Sequence, residues 1–389
     1  MQDSKQTNSA FSAPAAGKGH RHKTLVFHIG DHKTGSTAIQ SAFAQRRVSL
    51  EGRKVLYPTQ LSHNPLRQHC DAYAATNAPK AREKAISVFE NLATKIRTSD
   101  ADFCLISAEE LEGVAPAVFH EIVTTYFANA ADEIRVIAYV RPHAGRLVST
   151  FAERTKRGVP QVINGNLDTF FETMIKSGSF SYEPRFSAWR DLFGSQFALR
   201  PMIRSQLYQG SVVDDFIHHA FGGTPFQIKG AGEANESLAL EDLMRLKALQ
   251  FCLEKHGYKL RHRHALGWEF SRVLNSLPPL ESRTKLRIHK ALAVKLQDAY
   301  LKDARAVDQN FFDGAPLMEA ELVAIKDNAL DTPQSVDPAD YLSATDLRSV
   351  AILSEIIAGM LENKGEDWPK FLKNKRIKDA AKMAQINQS

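Results

Sequence analysis

The chain is poor in the features that would assign it to a special class. Its 389 residues include only three cysteines, Cys70, Cys104 and Cys252. They are far apart, odd in number, and never form a C-x-x-C pair. That excludes a disulfide-framed scaffold, a zinc ribbon and a thioredoxin-like centre, and it fits three thiols in a reducing compartment. No run approaches the roughly 20 apolar residues that a membrane-spanning helix needs. The first 23 residues hold Ser, Ala, Gly, Lys and His but no apolar stretch of the signal-peptide kind. A cytoplasmic location is therefore expected.

Charge of one sign is also scarce where it would matter. Of the net +6, residues 1–23 carry +3 and residues 369–389 carry +5, which leaves the body at −2. Such a body is no polyanion binder, so no nucleic-acid partner is expected, and anion chemistry must rest on a few placed residues. What is abundant is ordinary globular material, 43% hydrophobic and 24% charged, with length for roughly two to three domains.

The pattern of elements predicts an α/β fold with a central parallel sheet flanked by helices. Thr24 to Ile29 is a short β-rich run that stops at Gly30, followed by helical spacing at Ala38, Ile39, Ala42 and Phe43. Further strands are expected at Lys54 to Tyr57, Asp102 to Ser107, Ile134 to Val140 and Phe197 to Ile203. Helices are expected between them, at about Ala81 to Arg97, after Arg141-Pro142, and around Phe186, Trp189 and Leu192. Beyond about Lys229 the strand signals fade into long helices: Ser237 to Lys255, Leu266 to Leu277, Arg283 to Phe312 and Ala344 to Asn363, with a linker at Thr332 to Pro338. The expected division is a disordered tail (1–23), an α/β core (24–230), a helical extension covering the core or the acceptor site (231–365), and a basic tail (366–389). That last tail is read first as frayed and second as a peripheral contact for an anionic membrane surface. His262 and His264, flanked by Arg261 and Arg263, are read as a solvated basic turn; histidines at i and i+2 do not share a helical face for a metal.

The segment Gly30-Asp-His-Lys33-Thr34-Gly35-Ser36-Thr37 lies between an expected strand and an expected helix. That is the setting of a phosphate-cradling loop, where backbone N–H groups and the helix dipole converge on an anion. A nucleoside-triphosphate loop places lysine directly after its second glycine. Here that position is Ser36, and the lysine stands ahead, at Lys33. No acidic strand end suited to magnesium is evident either, since Arg141 ends the clearest later strand, so an ATPase or kinase is disfavoured.

Lys33-Thr-Gly-Ser-Thr37 after a His-Ile-Gly strand end resembles the 5′-phosphosulfate loop of sulfotransferases that use 3′-phosphoadenosine 5′-phosphosulfate (PAPS), above all bacterial members. Those enzymes hold the 3′-phosphate with an arginine at a strand end and a serine about two helical turns on, which Arg141 and Ser149 match. Arg146 is the alternative, one turn before Ser149 but away from the strand end. A fixed guanidinium suits bidentate contact to phosphate, and a hydroxyl adds a neutral donor. Phe186 to Gly194 and Asn235-Glu-Ser237 resemble the same group without implying chemistry. The likeness is specific over about residues 24–160 and looser to about 315.

What the resemblance implies is a P-loop-type sulfotransferase core and sulfuryl transfer to a hydroxyl, on a carbohydrate or glycolipid acceptor. Lys33 would stabilise the leaving oxygen, and Thr34, Gly35, Ser36 and Thr37 would donate to the 5′-phosphate. No metal is required, because the donor carries fewer charges than a triphosphate complex. The acceptor's proton needs a base. Glu109, in Ser-Ala-Glu at a strand end, is the choice, with Glu110, His32, His63 and His69 as alternatives. Two rival readings are an ATP-dependent small-molecule kinase with an atypical loop and a non-catalytic protein that binds PAPS or its desulfated product, PAP.

Overall fold

A computed structural model describes residues 9–12, 22–230, 238–278, 283–361 and 367–387. The chain divides into two compact units, one made of Met1–Arg141, Tyr182–Asn235 and Ile377–Ser389, the other of Pro142–Ser181 and Glu236–Arg376. The α/β part and the helical part are thus interleaved in sequence. The stretch Pro142–Ser181, expected within the 24–230 core, groups with the helical unit.

Among the described residues the first unit holds seven strands: β1 (Thr24–His28), β2 (Val48–Leu50), β3 (Val55–Leu56), β4 (Phe103–Ser107), β5 (Glu133–Val140), β6 (Phe197–Pro201) and β7 (Phe226–Ile228). Five of them form one parallel sheet in the order β3-β4-β1-β5-β6, and β2 and β7 form a separate antiparallel pair. The predicted α/β class with a central parallel sheet flanked by helices is what the chain adopts. The small β2–β7 pair has no sequence signature, because its three-residue strands are too short for a period.

Every residue of β1 is buried, as a strand covered on both faces requires. Alternation sends Val26 to one face, where Ile39, Phe43, Phe216 and Ile217 cover it. Phe27 goes to the other, edge-on to Phe119 and Phe127 at 5.2 and 5.5 Å, with Phe119 in turn 5.4 Å from Trp189. The helices Ser36–Ala44 and Val212–Ala220 therefore line one face, and Pro116–Ile122 and Tyr182–Phe193 the other.

Most of the expected tail 1–23 lies outside the described residues, but Ser9–Ser12 is docked. Phe11 is buried in the core beneath the Arg135 guanidinium, 5.0 Å from its ring. Ala10 N–H donates to His219 Nδ1 at 2.7 Å, and Arg135 donates to the Ser12 carbonyl at 2.7 Å. The basic tail also departs from expectation: Trp368–Ile386 is a helix with Ala380 and Ala384 buried. The stretch after Pro369 holds no glycine or proline and is rich in Lys, Ala and other helix formers.

In the second unit, Leu240–Lys255 is buried on most of its circumference, and Phe151 packs against Phe170 at 5.7 Å. Asp308 accepts from the N–H groups of Met318 and Glu319 at 2.8 and 2.9 Å. The basic turn expected around His262 and His264 is instead the interior of the helix Leu260–Asn275. His264 accepts from Trp268 Nε1 one turn on, at 2.8 Å, and burial pushes its imidazole down to about 4. The Asn235-Glu-Ser237 likeness falls outside the described residues.

Candidate functional site

In an open parallel sheet, ligands sit beyond the carboxyl ends of the strands where the winding reverses. Here that strand is β1. The chain lays β3 and β4 to one side of it and β5 and β6 to the other. The loop that leaves β1 is Gly30 to Thr37, the segment the sequence singled out.

Backbone bonds to β5 carry the loop outward: Tyr139 N–H donates to the Gly30 carbonyl at 2.8 Å and Asp31 N–H to the Tyr139 carbonyl at 3.1 Å. Two glycines then shape it. Gly30 has φ +96°, and a Cβ there would lie 3.0 Å from the Glu109 carbonyl oxygen. Gly35 has φ +86°, and its Cβ would lie 2.7 Å from a Val212 methyl group. Gly35 is the N-cap of the Ser36–Ala44 helix, and its carbonyl takes the first intrahelical bonds, from Ala38 and Ile39 at 2.9 and 3.3 Å. The N–H groups of Ser36 and Thr37 have no acceptor within the helix, which is the general condition of an anion-binding N-terminus. The Ser36 hydroxyl is buried, 2% exposed, and has no hydrogen-bond partner among the described residues.

The other predicted loop residues divide by role. The Thr34 side chain is fully buried and its hydroxyl donates to the Asp31 carbonyl, so it braces the loop from within; its backbone N–H is the part still suited to an anion. Thr37 is exposed. Lys33 takes a left-handed conformation, φ +65°, and its carbonyl accepts from Arg141 Nη1 at 3.1 Å. The strand-end arginine and the loop lysine are therefore neighbours, although 108 residues separate them. Arg141 is held in turn by its carbonyl, which accepts from the Tyr182 hydroxyl at 2.9 Å.

Ser149 falls in the second unit, half-buried on the helix His143–Lys156. Arg146, the alternative to Arg141, is buried on the same helix with its guanidinium 6.0 Å from the Phe180 ring.

Glu109 opens a short helical turn, Glu109–Gly113, directly after β4, and its backbone lies against Gly30. Three carboxylates ring the His32 imidazole: Glu109 at 3.8 Å, Glu110 at 3.9 Å and Glu112 at 4.0 Å. The acidic strand end at Glu109 and Glu110, read from the sequence as the source of the base, thus lies beside the loop, and Glu112 joins it. Among the described residues, no group of three or more His, Cys, Asp or Glu side chains is arranged to hold a metal ion.

His63, an alternative base, is unsuited to that role. Its Nδ1 accepts from Ser107 N–H at 3.1 Å, and burial pushes its imidazole down to about 3. His69 is half-buried on the helix Leu66–Ala74, and burial lowers its imidazole, with Lys84 adding to the effect. Beneath the loop His28 bonds to Ser107 Oγ at 2.8 Å, and burial holds it down at about 4 against the opposing pull of the Glu109 charge.

One participant carried no local signal. Arg185, on the helix Tyr182–Phe193, reaches Asp31 at 2.8 and 3.3 Å and Glu112 at 3.1 Å. Its neighbours in sequence read as packing, and its partner Asp31 is 154 residues away. The site therefore joins a helix N-terminus, a lysine, two arginines and an acidic strand exit at one end of the sheet. Comparison of the chain with protein-family models, with curated proteins and with solved structures finds no match.

Proposed function

We propose that the chain is a P-loop-type sulfotransferase, which moves the sulfuryl group of PAPS to an acceptor hydroxyl on a carbohydrate or glycolipid. The observation that carries this reading is the Arg141 guanidinium bonded to the Lys33 carbonyl at 3.1 Å, beside a helix N-terminus with a buried serine hydroxyl that has no partner among the described residues. A donor with a phosphate on its ribose 3′ oxygen and a phosphosulfate on its 5′ oxygen needs two separate anion contacts at one crevice, and these two segments supply them.

In the reaction, the acceptor oxygen forms a bond to sulfur as the bond from sulfur to the 5′-phosphate oxygen breaks, leaving PAP. The backbone N–H groups of Thr34, Gly35, Ser36 and Thr37, with the Ser36 hydroxyl, hold the 5′-phosphate. The Lys33 ammonium stabilises the charge that develops on the departing oxygen. Glu109 takes the acceptor's proton. Arg141 holds the 3′-phosphate.

Calorimetry with PAP and PAPS, and with ATP and magnesium, tests the reading. Arg141→Ala should weaken PAP about 30- to 100-fold, the loss of one charged bidentate contact, and leave ATP nearly unchanged. Lys33→Ala should cut sulfuryl transfer by about 100-fold or more, as for removal of one group that stabilises developing charge. Failure of the wild-type chain to bind PAP would overturn the proposal. A second reading, ATP-dependent phosphoryl transfer, draws on the acidic exit of β4, and tight ATP–magnesium binding without PAP binding would favour it. PAP binding without labelled product across glycans, lipids and phenols would leave the non-catalytic reading.

A further inference from the structure

The anion loop contains a negative charge of its own. Asp31 is almost wholly buried, 1% exposed, two residues before Lys33. Glu112 comes close behind, with its Oε2 accepting the His32 backbone N–H at 2.6 Å. Asp31 Oδ1 accepts the same N–H at 3.0 Å. Two carboxylates thus share one loop amide, and uncompensated they would repel any anion drawn to the N–H groups that follow.

Arg185 closes this arrangement into a ring. Its guanidinium meets both oxygens of Asp31, at 3.3 and 2.8 Å, and Glu112 Oε1 at 3.1 Å. The same guanidinium lies 4.5 Å from the Phe186 ring centre, on its own helix, which restricts where it can point. A rigid, planar fork lets one cation span two carboxylates and an aromatic face at once, whereas an ammonium on a flexible stem cannot. The circuit Arg185–Asp31–His32 N–H–Glu112–Arg185 ties the loop leaving β1 to the turn leaving β4, the turn that also carries Glu109.

We propose that Arg185 is a positioning residue for the anion loop: it locks residues 31 and 32 to the β4 exit and offsets the carboxylates of Asp31 and Glu112, so that a phosphate-bearing ligand can settle on the N–H groups from Thr34 onward. The inference rests on the functional reading above for the identity of the ligand, but the locking of the loop stands apart from it. Arg185 acts through Asp31 and Glu112; it does not act on the reacting atoms.

The test uses the full chain with Arg185→Lys, which keeps the charge but loses the fork, and Arg185→Gln, which loses both. Hydrogen exchange of the amides of residues 32–37 is followed without ligand, thermal unfolding reports whether each variant folds, and calorimetry with PAP is run at low and high salt. In Arg185→Lys the loop amides should exchange about tenfold faster and PAP should bind about tenfold more weakly, with unfolding close to wild type. Arg185→Gln should weaken PAP further, and that additional loss should shrink as salt rises, because it comes from unscreened carboxylate charge. A purely structural ion pair would shift the unfolding temperature and leave the salt dependence of PAP binding as in wild type, which would overturn the proposal. Should Arg185→Gln not fold, the lysine variant decides. If the wild type binds no PAP, the functional reading fails, and the ligand-free exchange rates still judge the lock: faster exchange supports it, and unchanged exchange refutes it.

Discussion

Gly35→Ala separates two costs that the structure assigns to one methyl group. The first is conformational. Gly35 sits at φ +86°, ψ 11°, in the left-handed region, where an L-residue with a Cβ costs about 1–2 kcal/mol. The second is steric. The new Cβ would lie 2.7 and 3.2 Å from the two methyl groups of Val212, well inside the roughly 3.5–4.0 Å of a comfortable carbon contact. Overpacking of this kind costs about 1–3 kcal/mol. Together the two effects should lower the unfolding free energy by about 2–5 kcal/mol. Denaturant unfolding of wild type, Gly35→Ala, Val212→Ala and the double variant resolves the parts. In the Val212→Ala background the steric share should vanish and about 1–2 kcal/mol should remain, so the two sites should couple strongly. PAP affinity should fall in both chains that carry Gly35→Ala, since the loop's hydrogen-bonding geometry depends on that backbone conformation. A cost below about 0.5 kcal/mol for Gly35→Ala, or an equal cost in both backgrounds, would refute the argument.

Buried groups in the first unit supply two more tests. His28 and His63 are held down at about 4 and about 3, below their ordinary 6.5, so both fold as neutral rings. The stability they lend is complete above pH 6.5 and is lost as pH falls toward those lower values, because the unfolded chain binds the protons first. Between pH 7 and 5 these two rings should contribute about 3–4 kcal/mol of lost stability in denaturant unfolding, close to 2 per histidine, with the buried His264 adding to the same slope; a flat profile over that range would contradict the assignment. Phe11→Ala should release Ser9–Ser12 from the core at a cost of about 1–3 kcal/mol, less than for an internal phenylalanine because a terminal segment can simply detach. Protection of the Ala10 amide, which donates to His219, reports the release, and unchanged protection would count against the docking.

Much of the fold was legible in the residues. The strand before Gly30, the helix after Gly35, the strands ending at Ser107 and Val140, and the helix after Pro142 all lie where periodicity and turn chemistry put them. The loop was legible for the same reason: glycines at two turning points between a buried strand and an amphipathic helix form a local pattern. The helix Trp368–Ile386 is harder to read because its net charge draws attention away from an unbroken run of helix formers. His262 and His264 suggest a turn because their own charged neighbourhood hides the helix that runs from Leu260 to Asn275.

The amino-acid order by itself determined most of the elements, the α/β class and the glycine-turned loop between β1 and the next helix, since each depends on residues within a turn or two of one another. Only the tertiary structure decided that the acidic end of β4 packs against the loop leaving β1, that Arg141 touches the loop through the Lys33 carbonyl, that Arg185 links Asp31 to Glu112, and that Phe11 returns to the core. Those contacts join residues tens to hundreds of positions apart. They arise from the order in which strands stand side by side, and hydrophobic periodicity along the chain carries no record of that order.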